Sequence, residues 1–249
     1  MIVLRIIWSP IAWSIALVWM AVIFVIALPF LPFVSFQAIQ KRGFAQLFGL
    51  VPYVTLSRMS TQHHPDFRRY APSVFVQNHS SVLDAHVALA TIPTVVCGLQ
   101  NEGHLRVPIY GWLMSLAKGI PVPANRDGRL AAITKVAKMR AAADISILVF
   151  PEGHRTRDGR VRAYRTGGLI MARDAGLPIV PLCVRGLYEV LPRREWIIRP
   201  GHIEVYFGPT IETTGLSDEQ MSVLAEKLTA YAQTWVDGQE PEPIRMGPA

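Results

Sequence analysis

The chain has 249 residues, of which 51% are hydrophobic and 17% charged, and its formal net charge is +7. This length suffices for one large domain or two small ones, and we expect one. The positive charge favours anionic lipid headgroups as partners, whereas no nucleic-acid-binding fingerprint occurs, so nucleic acid is excluded. The two cysteines, Cys97 and Cys183, lie in apolar runs. We therefore expect no disulfide framework and a globular part that faces the reducing cytoplasm.

The apolar residues are concentrated at the N-terminus. No charged side chain occurs between Arg5 and Lys41, and Ile11–Leu28 is continuously apolar apart from Ser14. As a helix this run would be about 27 Å long, close to the hydrocarbon thickness of a bilayer. It predicts a membrane-anchoring helical segment over residues 1–40 rather than a cleaved signal peptide or a buried core helix.

Aromatic and basic residues around this segment support membrane attachment. Amphipathic indole rings suit the membrane interface, and the segment contains Trp8, Trp13 and Trp19. Pro29 and Pro32 interrupt the apolar sequence, which leaves open whether the segment spans the bilayer or dips into one leaflet. Lys41 and Arg42 follow the segment and only Arg5 precedes it, a bias that favours the cytoplasmic face of the inner (plasma) membrane.

Strand-length apolar runs then alternate with helical stretches, as in an α/β domain with a mostly parallel sheet flanked by helices. The predicted strands are Ser73–Gln77, Thr94–Leu99, Gly119–Pro123, Ile145–Phe150, Pro178–Val184 and His202–Phe207. The predicted helices are Val82–Ala90, Tyr110–Ala117, Arg129–Ala143, Gly168–Ala175 and Ser217–Trp235, with Ser217 as a cap. We assign residues 41–236 to this domain and residues 237–249, rich in Pro, Gly and Glu, to a flexible tail.

The stretch FVQNHSSVLDAH places His79 directly after a predicted strand and Asp84 five residues later, where a helix begins. In the structural interpretation, Ser81 and Asp84 form a capping box and His79 is incidental. In the functional interpretation, Asp84 accepts a hydrogen bond from one imidazole nitrogen, so that the other nitrogen can take a proton from an alcohol. Ligands of open α/β sheets bind beyond the carboxyl ends of the strands, where His79 lies, but the spacing alone does not decide.

Two further strand ends carry arginine. In LVFPEGHRTRDGR, a turn with Glu152 and Gly153 follows a predicted strand and leads to Arg155. In GIPVPANRDGR, Arg126 has the same position relative to its strand. A solvated basic loop is the simpler interpretation, but arginine forks bind phosphate oxygens bidentately, and glycine allows close backbone approach to a ligand. Together the three strand ends predict a proton acceptor beside a phosphate site.

Four ordered blocks carry a family resemblance. NHSSVLD contains a His and an Asp separated by four residues (HX4D), and it is followed by GIPVPANR, FPEGHR and IVPLCVRG. Over about residues 70–190 this pattern resembles the lysophosphatidic acid acyltransferases (1-acyl-sn-glycerol-3-phosphate acyltransferases).

The resemblance implies an α/β acyltransferase that moves a fatty acyl group from acyl-CoA or acyl carrier protein (acyl-ACP) to the sn-2 hydroxyl of 1-acyl-sn-glycerol-3-phosphate, making phosphatidic acid. It implies no metal and no other cofactor. His79 would be the general base and Asp84 its orienting partner. The acceptor's phosphate would be bound by Arg126, Glu152, Gly153 and Arg155, and the site would be shaped by Asn78, Ser81, Val180 and Pro181.

Two departures from the family pattern concern the acceptor. His154 stands where the family usually has Thr, and Gln100 and Asn101 lie where a Lys-containing element is common. They leave open another lyso-lipid acceptor, such as lyso-ornithine lipid or a lysophospholipid with a larger headgroup. A non-catalytic lipid-binding protein is the alternative from another class, but phosphate binding alone needs no proton acceptor. Donor carrier, acyl-chain length and oligomeric state are left open. Backbone N–H groups after Ser80 are candidates for stabilising an oxyanion.

Overall fold

One seven-stranded sheet organises the chain in the computed structural model, which describes residues 2–30, 33–35, 38, 45–106, 115, 117–125 and 127–244. The strands are β1 (Arg58–His63), β2 (Val74–Gln77), β3 (Val96–Asn101), β4 (Ile120–Val122), β5 (Ser146–Val149), β6 (Ile179–Arg185) and β7 (His202–Phe207). Their order is β1-β7-β6-β2-β5-β3-β4. Every neighbouring pair is parallel except β6 with β7. The predicted mostly parallel sheet is therefore confirmed.

Helices lie on both faces of this sheet. They are α1 (Ile2–Ala27), α2 (Ala45–Phe48), α3 (Asp84–Thr91), α4 (Arg129–Ala141), α5 (Gly167–Asp174), α6 (Leu187–Val190) and α7 (Asp218–Val236). The cluster that contains β2 residues Val74 and Val76 packs against α4, α5 and α7. The cluster that contains Phe75 packs against α1, α3 and α6. Successive β2 side chains thus pack into the cores on opposite faces of the sheet. Because both faces are buried, the sequence of β2 is a continuous apolar run without polar alternation.

Most predicted elements agree with the structure within two residues at each end. Ser217 caps α7 in a complete capping box with Gln220, as its position before the helix indicated. The predicted helix Tyr110–Ala117 lies outside the described residues except at positions 115 and 117. Strand β1 was missed because Arg58–His63 has no apolar alternation, and only its parallel pairing with β7 makes it a strand.

Helix α1 is docked on the domain along much of its length. Its buried residues form one stripe of mostly small side chains, Ser9, Ala12, Ala16, Ile23 and Ala27. Its three indole N–H groups donate to carbonyl oxygens of the globular part, Trp8 to Val54 at 3.2 Å, Trp13 to Trp196 at 2.9 Å and Trp19 to Leu47 at 2.8 Å. The tryptophans therefore fasten the helix to the domain, a role that the sequence pattern did not indicate.

The other face of α1 is apolar and exposed. Leu4 is 70% exposed, and Leu17 and Val18 are exposed to a similar extent. By length and composition, residues 2–30 could cross a membrane. A continuous apolar face of this size on a soluble surface marks an interaction site, and its length fits a bilayer.

Candidate active site

The two principal motifs meet at one edge of the sheet. Strands β2 and β5 are parallel neighbours, with Val74 beside Ile147 and Val76 beside Val149. Since parallel strands end at the same edge, residues 78–79 after β2 and residues 150–153 after β5 lie side by side.

His79 and Asp84 are in direct contact. His79 Nδ1 lies 2.7 Å from Asp84 Oδ2, and this hydrogen bond assigns the proton to Nδ1 because the carboxylate can only accept. Asp84 is fully buried, whereas the His79 side chain is 22% exposed. Within the described residues, His79 Nε2 has no hydrogen-bond partner. In the neutral imidazole this arrangement leaves Nε2 as the proton acceptor of a partly exposed side chain.

Asp84 also organises the turn between β2 and α3. Its Oδ2 accepts hydrogen bonds from the Ser80 and Ser81 amides at 2.7 and 2.8 Å. The predicted capping box with Ser81 as N-cap is not formed, because Leu83 is the N-cap of α3 and makes no side-chain cap hydrogen bond; Asp84 nevertheless accepts from the Ser81 amide before the helix. A structural and a functional role of Asp84 are thus compatible. The Ser80 and Ser81 amides, however, point at this carboxylate and are unavailable to an oxyanion, which corrects part of the expectation above.

The main chain of His79 is held by the loop that follows β5. Glu152 Oε1 accepts a hydrogen bond from the His79 amide at 2.7 Å, and Glu152 Oε2 accepts one from the Arg162 amide at 3.1 Å. On the other side, the Thr156 amide donates to the His79 carbonyl oxygen at 2.8 Å. Glu152 is 4% exposed, so its carboxylate joins two backbone segments inside the protein.

Phe150 stacks against one face of the His79 imidazole ring. The two rings stack with their centroids 4.2 Å apart and an interplanar angle of 23°. Phe150 ends the apolar run that precedes Pro151, Glu152 and Gly153. The sequence showed this position but did not indicate that Phe150 stacks on His79. Stacking and the Asp84 hydrogen bond together restrict the ring to one orientation.

Asn78 extends the sheet with its side chain. Its Nδ2 donates to the Val184 carbonyl oxygen and its Oδ1 accepts from the Val184 amide, both at 2.8 Å. The amide group thereby replaces one backbone pair between β2 and β6, and Asn78 is buried. Val180 and Pro181 lie inside β6 opposite Phe75 and Val76, within the sheet that carries His79.

The structure gives different results for the four residues that were predicted to bind the phosphate. Gly153 has a φ of +76°, a backbone conformation that favours glycine, and a Cβ there would lie 3.0 Å from the flexible Arg165 guanidinium. Arg155 is half-buried in the same loop, and Glu152 is engaged with backbone amides as described. Arg126 lies outside the described residues.

Burial raises the pKa of Glu152 to about 7, although the amide donors of His79 and Arg162 oppose this shift. Between about pH 4.5 and 7 the folded protein then binds a proton that the unfolded chain has released. We expect the free energy of unfolding to fall as pH rises through this window, and Glu152→Gln to remove this part of the slope. Urea unfolding of both proteins at several pH values measures it.

Glu226→Gln provides the control because it removes an exposed carboxylate from α7. This variant should keep the pH slope of the wild type. Identical slopes for wild type and Glu152→Gln would show that the Glu152 carboxyl does not titrate in this window.

Comparison with known proteins identifies the family. The profile of the Acyltransferase family matches residues 58–185. A 1-acyl-sn-glycerol-3-phosphate acyltransferase from Limnanthes douglasii is 28% identical over 142 residues, 57% of this chain and 50% of that protein. The Pseudomonas aeruginosa protein of the same name is 29% identical over 168 residues, 66% of this chain and 62% of the relative. Thus the chain spans about half to two thirds of the length of these relatives.

A solved structure shows the same fold. The 1-acyl-sn-glycerophosphate (LPA) acyltransferase PlsC from Thermotoga maritima superposes with a TM-score of 0.78, covering 95% of this chain and 96% of that one at 20% identity. The family resemblance drawn from the four motifs is confirmed by the profile match, which includes His79, Asp84 and the loop after β5. The chain belongs to the acyltransferase family.

Proposed function

We propose that the protein transfers a fatty acyl group from an acyl-CoA or acyl-ACP thioester to the sn-2 hydroxyl of 1-acyl-sn-glycerol-3-phosphate. The single observation that carries this proposal is the 2.7 Å hydrogen bond from His79 to buried Asp84, which leaves Nε2 as a proton acceptor. The names of the relatives support the choice of acceptor.

In the proposed reaction, His79 Nε2 removes the proton of the acceptor hydroxyl as its oxygen attacks the thioester carbonyl carbon. Asp84 stabilises the imidazolium that forms. When the tetrahedral intermediate collapses, the C–S bond breaks and the imidazolium returns its proton to the thiolate. No acyl-enzyme is needed, and the only products are the acylated lipid and the free thiol. Acyl chain covalently bound to the protein in a single turnover without acceptor would contradict this order.

For the acceptor's phosphate we propose Arg155 and Arg126 as ligands, with Gly153 allowing close approach. Glu152 serves this site indirectly, since its carboxylate holds the main chain of His79 and of Arg162 in place. Asn78 and Ser81 act in the same indirect way through the backbone around His79.

We further propose that residues 1–40 attach the acyltransferase domain, residues 41–236, to the cytoplasmic face of a membrane, and that residues 237–249 form a tail. The three tryptophan contacts run along α1, so its axis follows the surface of the domain. We therefore propose that this helix enters one leaflet rather than crossing the bilayer. Partial embedding in one leaflet through the exposed apolar face agrees with both observations.

Charged substitutions on α1 test membrane attachment. Leu17 and Val18 are 61% and 62% exposed, and aspartate at both positions should lower partition into liposomes at least about 10-fold, because carboxylates are costly in the acyl region. Flotation on liposomes measures the change. Met139→Asp is the matched control, since Met139 is 59% exposed on α4 at the opposite face of the sheet. Equal partition of both variants would contradict embedding through α1.

The proposed reaction is tested by the release of free thiol from acyl-CoA by the detergent-purified protein. Lysophosphatidic acid, glycerol 3-phosphate and lyso-ornithine lipid are compared as acceptors, and acyl-ACP as an alternative donor. We expect release with lysophosphatidic acid. Release only with another acceptor would keep the reaction and reject the phosphate assignment, whereas no release with any acceptor and carrier would favour a lipid-binding protein.

A further inference from the structure

Five arginines cluster in the loops beside the His79 turn. They are Arg155, Arg157, Arg162, Arg193 and Arg194. Burial, and then the positive charges of the other four, lower the pKa of Arg193. Within the described part of the chain, none of the five pairs with a carboxylate. A bound anion would compensate this charge.

Arg193, like Arg194, lies outside the sequence motifs and outside the loop that follows β5. It lies in the segment after α6, about 40 residues beyond the FPEGHR block, and it is half-buried. Its Nη1 donates to the Arg155 carbonyl oxygen at 3.3 Å. This contact uses one of its five N–H donors and leaves the others for a ligand.

One peptide group joins Arg193 to the catalytic histidine. The Arg155 carbonyl oxygen and the Thr156 amide belong to the same peptide unit. The oxygen accepts from Arg193, and the N–H donates to the His79 carbonyl oxygen at 2.8 Å. Because the two groups of a trans peptide point in opposite directions, one peptide unit and the hydrogen bond on each side of it separate the guanidinium from the His79 main chain.

The same segment contacts the N-terminal helix. The Trp196 carbonyl oxygen accepts from the Trp13 indole, and the Ile198 amide donates to Ser9 Oγ at 2.8 Å. Trp196 itself is 52% exposed. Arg193 therefore lies between the loop beside His79 and the helix that carries the exposed apolar face, where the headgroup of an embedded lipid would enter.

We propose that Arg193 binds the phosphate monoester of the lipid acceptor together with Arg155. The inference rests on the proposed function and adds to its phosphate site a residue from a separate segment. In 1-acyl-sn-glycerol-3-phosphate the reacting hydroxyl and the phosphate are on neighbouring carbons of the glycerol. The phosphate of an acceptor whose hydroxyl meets His79 therefore lies near the His79 turn. There the Arg193 guanidinium is linked to the His79 main chain through one peptide unit and two hydrogen bonds, and its planar fork suits phosphate oxygens.

Arg193→Ala should raise the KM for lysophosphatidic acid about 10- to 100-fold, the loss expected for a charge-assisted hydrogen bond, with the KM for acyl-CoA unchanged. Monoacylglycerol, which has the hydroxyl but lacks the phosphate, should be acylated equally well by wild type and variant. Arg193→Lys keeps the charge without the fork and should show an intermediate KM. Circular dichroism melting establishes that each variant is folded.

Arg199→Ala is the matched control, because Arg199 belongs to the same segment but already pairs with Glu195. It removes one positive charge and should change the KM for lysophosphatidic acid less than about 2-fold. An equal loss with both acceptors, a higher KM for acyl-CoA alone, or the same result for Arg193→Ala and Arg199→Ala would each overturn the proposal.

A direct binding measurement tests the phosphate site independently of the proposed reaction. Calorimetric titration of lysophosphatidic acid into the wild type and Arg193→Ala in detergent measures the phosphate contact without turnover. Absent acyl transfer with tenfold weaker binding by the variant would reject the reaction and keep the phosphate site. Acyl transfer by the wild type with equal binding by both proteins would reject the phosphate site and keep the reaction.

Discussion

His79→Ala should lower kcat for acyl transfer at least about 1,000-fold, within the range that a general base contributes. His79 Nε2 has no hydrogen-bond partner within the described residues and is therefore able to accept the proton of the hydroxyl. Alanine removes that acceptor but leaves the backbone hydrogen bonds to Glu152 and Thr156 in place. The measurement is free thiol release from acyl-CoA at saturating lysophosphatidic acid.

His202→Ala serves as the control, because His202 is an exposed histidine of β7 that contacts Ser60 at 2.9 Å. This variant should retain activity within about 2-fold, since surface substitutions change little. Liposome binding by His79→Ala should equal that of the wild type. Activity of His79→Ala within tenfold of the wild type would remove His79 as the general base.

Asp84→Asn should lower kcat about 100- to 10,000-fold and leave the KM for lysophosphatidic acid nearly unchanged. Asparagine retains the size of the side chain but has no charge to stabilise an imidazolium, and its amide does not fix the Nδ1–H tautomer of His79. Steady-state kinetics with both substrates varied separates kcat from KM. Full kcat in this variant would show that the charge of Asp84 plays no part in the reaction.

Asp84→Ala should in addition destabilise the fold by at least about 3 kcal/mol, because the buried amides of Ser80 and Ser81 and His79 Nδ1–H lose their acceptor. Denaturant unfolding measures this change. Asp174→Asn is the control, since this exposed carboxylate pairs with Arg173 at the surface and should contribute less than about 1 kcal/mol. Equal stability of both variants would mean that the turn reorganises around the missing carboxylate.

The local chemistry of the site follows from short sequence windows. His79 and Asp84 are five positions apart, and the strand before them and the helix after them bring the two side chains together. The cap of α7 at Ser217 is equally local. In each case the interacting groups are near neighbours in the chain, so residue type and spacing suggested the contact, although the spacing of His79 and Asp84 alone did not decide their role.

The partners of these groups are distant in sequence and could not be derived from spacing. Glu152 was predicted at the phosphate, yet its carboxylate binds the His79 amide across 73 positions. Trp13 was predicted at a membrane interface, yet its indole binds the Trp196 carbonyl oxygen across 183 positions. The same residue pattern is compatible with the predicted partner and with the observed one. The order of the strands in the sheet decides which loops lie next to each other, and local sequence does not contain this order.

The sequence by itself therefore determined the α/β class and the apolar N-terminal helix, and it identified His79 and Asp84 as the candidate pair. These features arise from periodicity and from contacts between near neighbours in the chain. Only the tertiary structure decided that β7 pairs antiparallel with β6, that α1 packs against the domain and that Arg193 contacts Arg155. These depend on packing between segments far apart in the chain, which no single stretch of sequence contains.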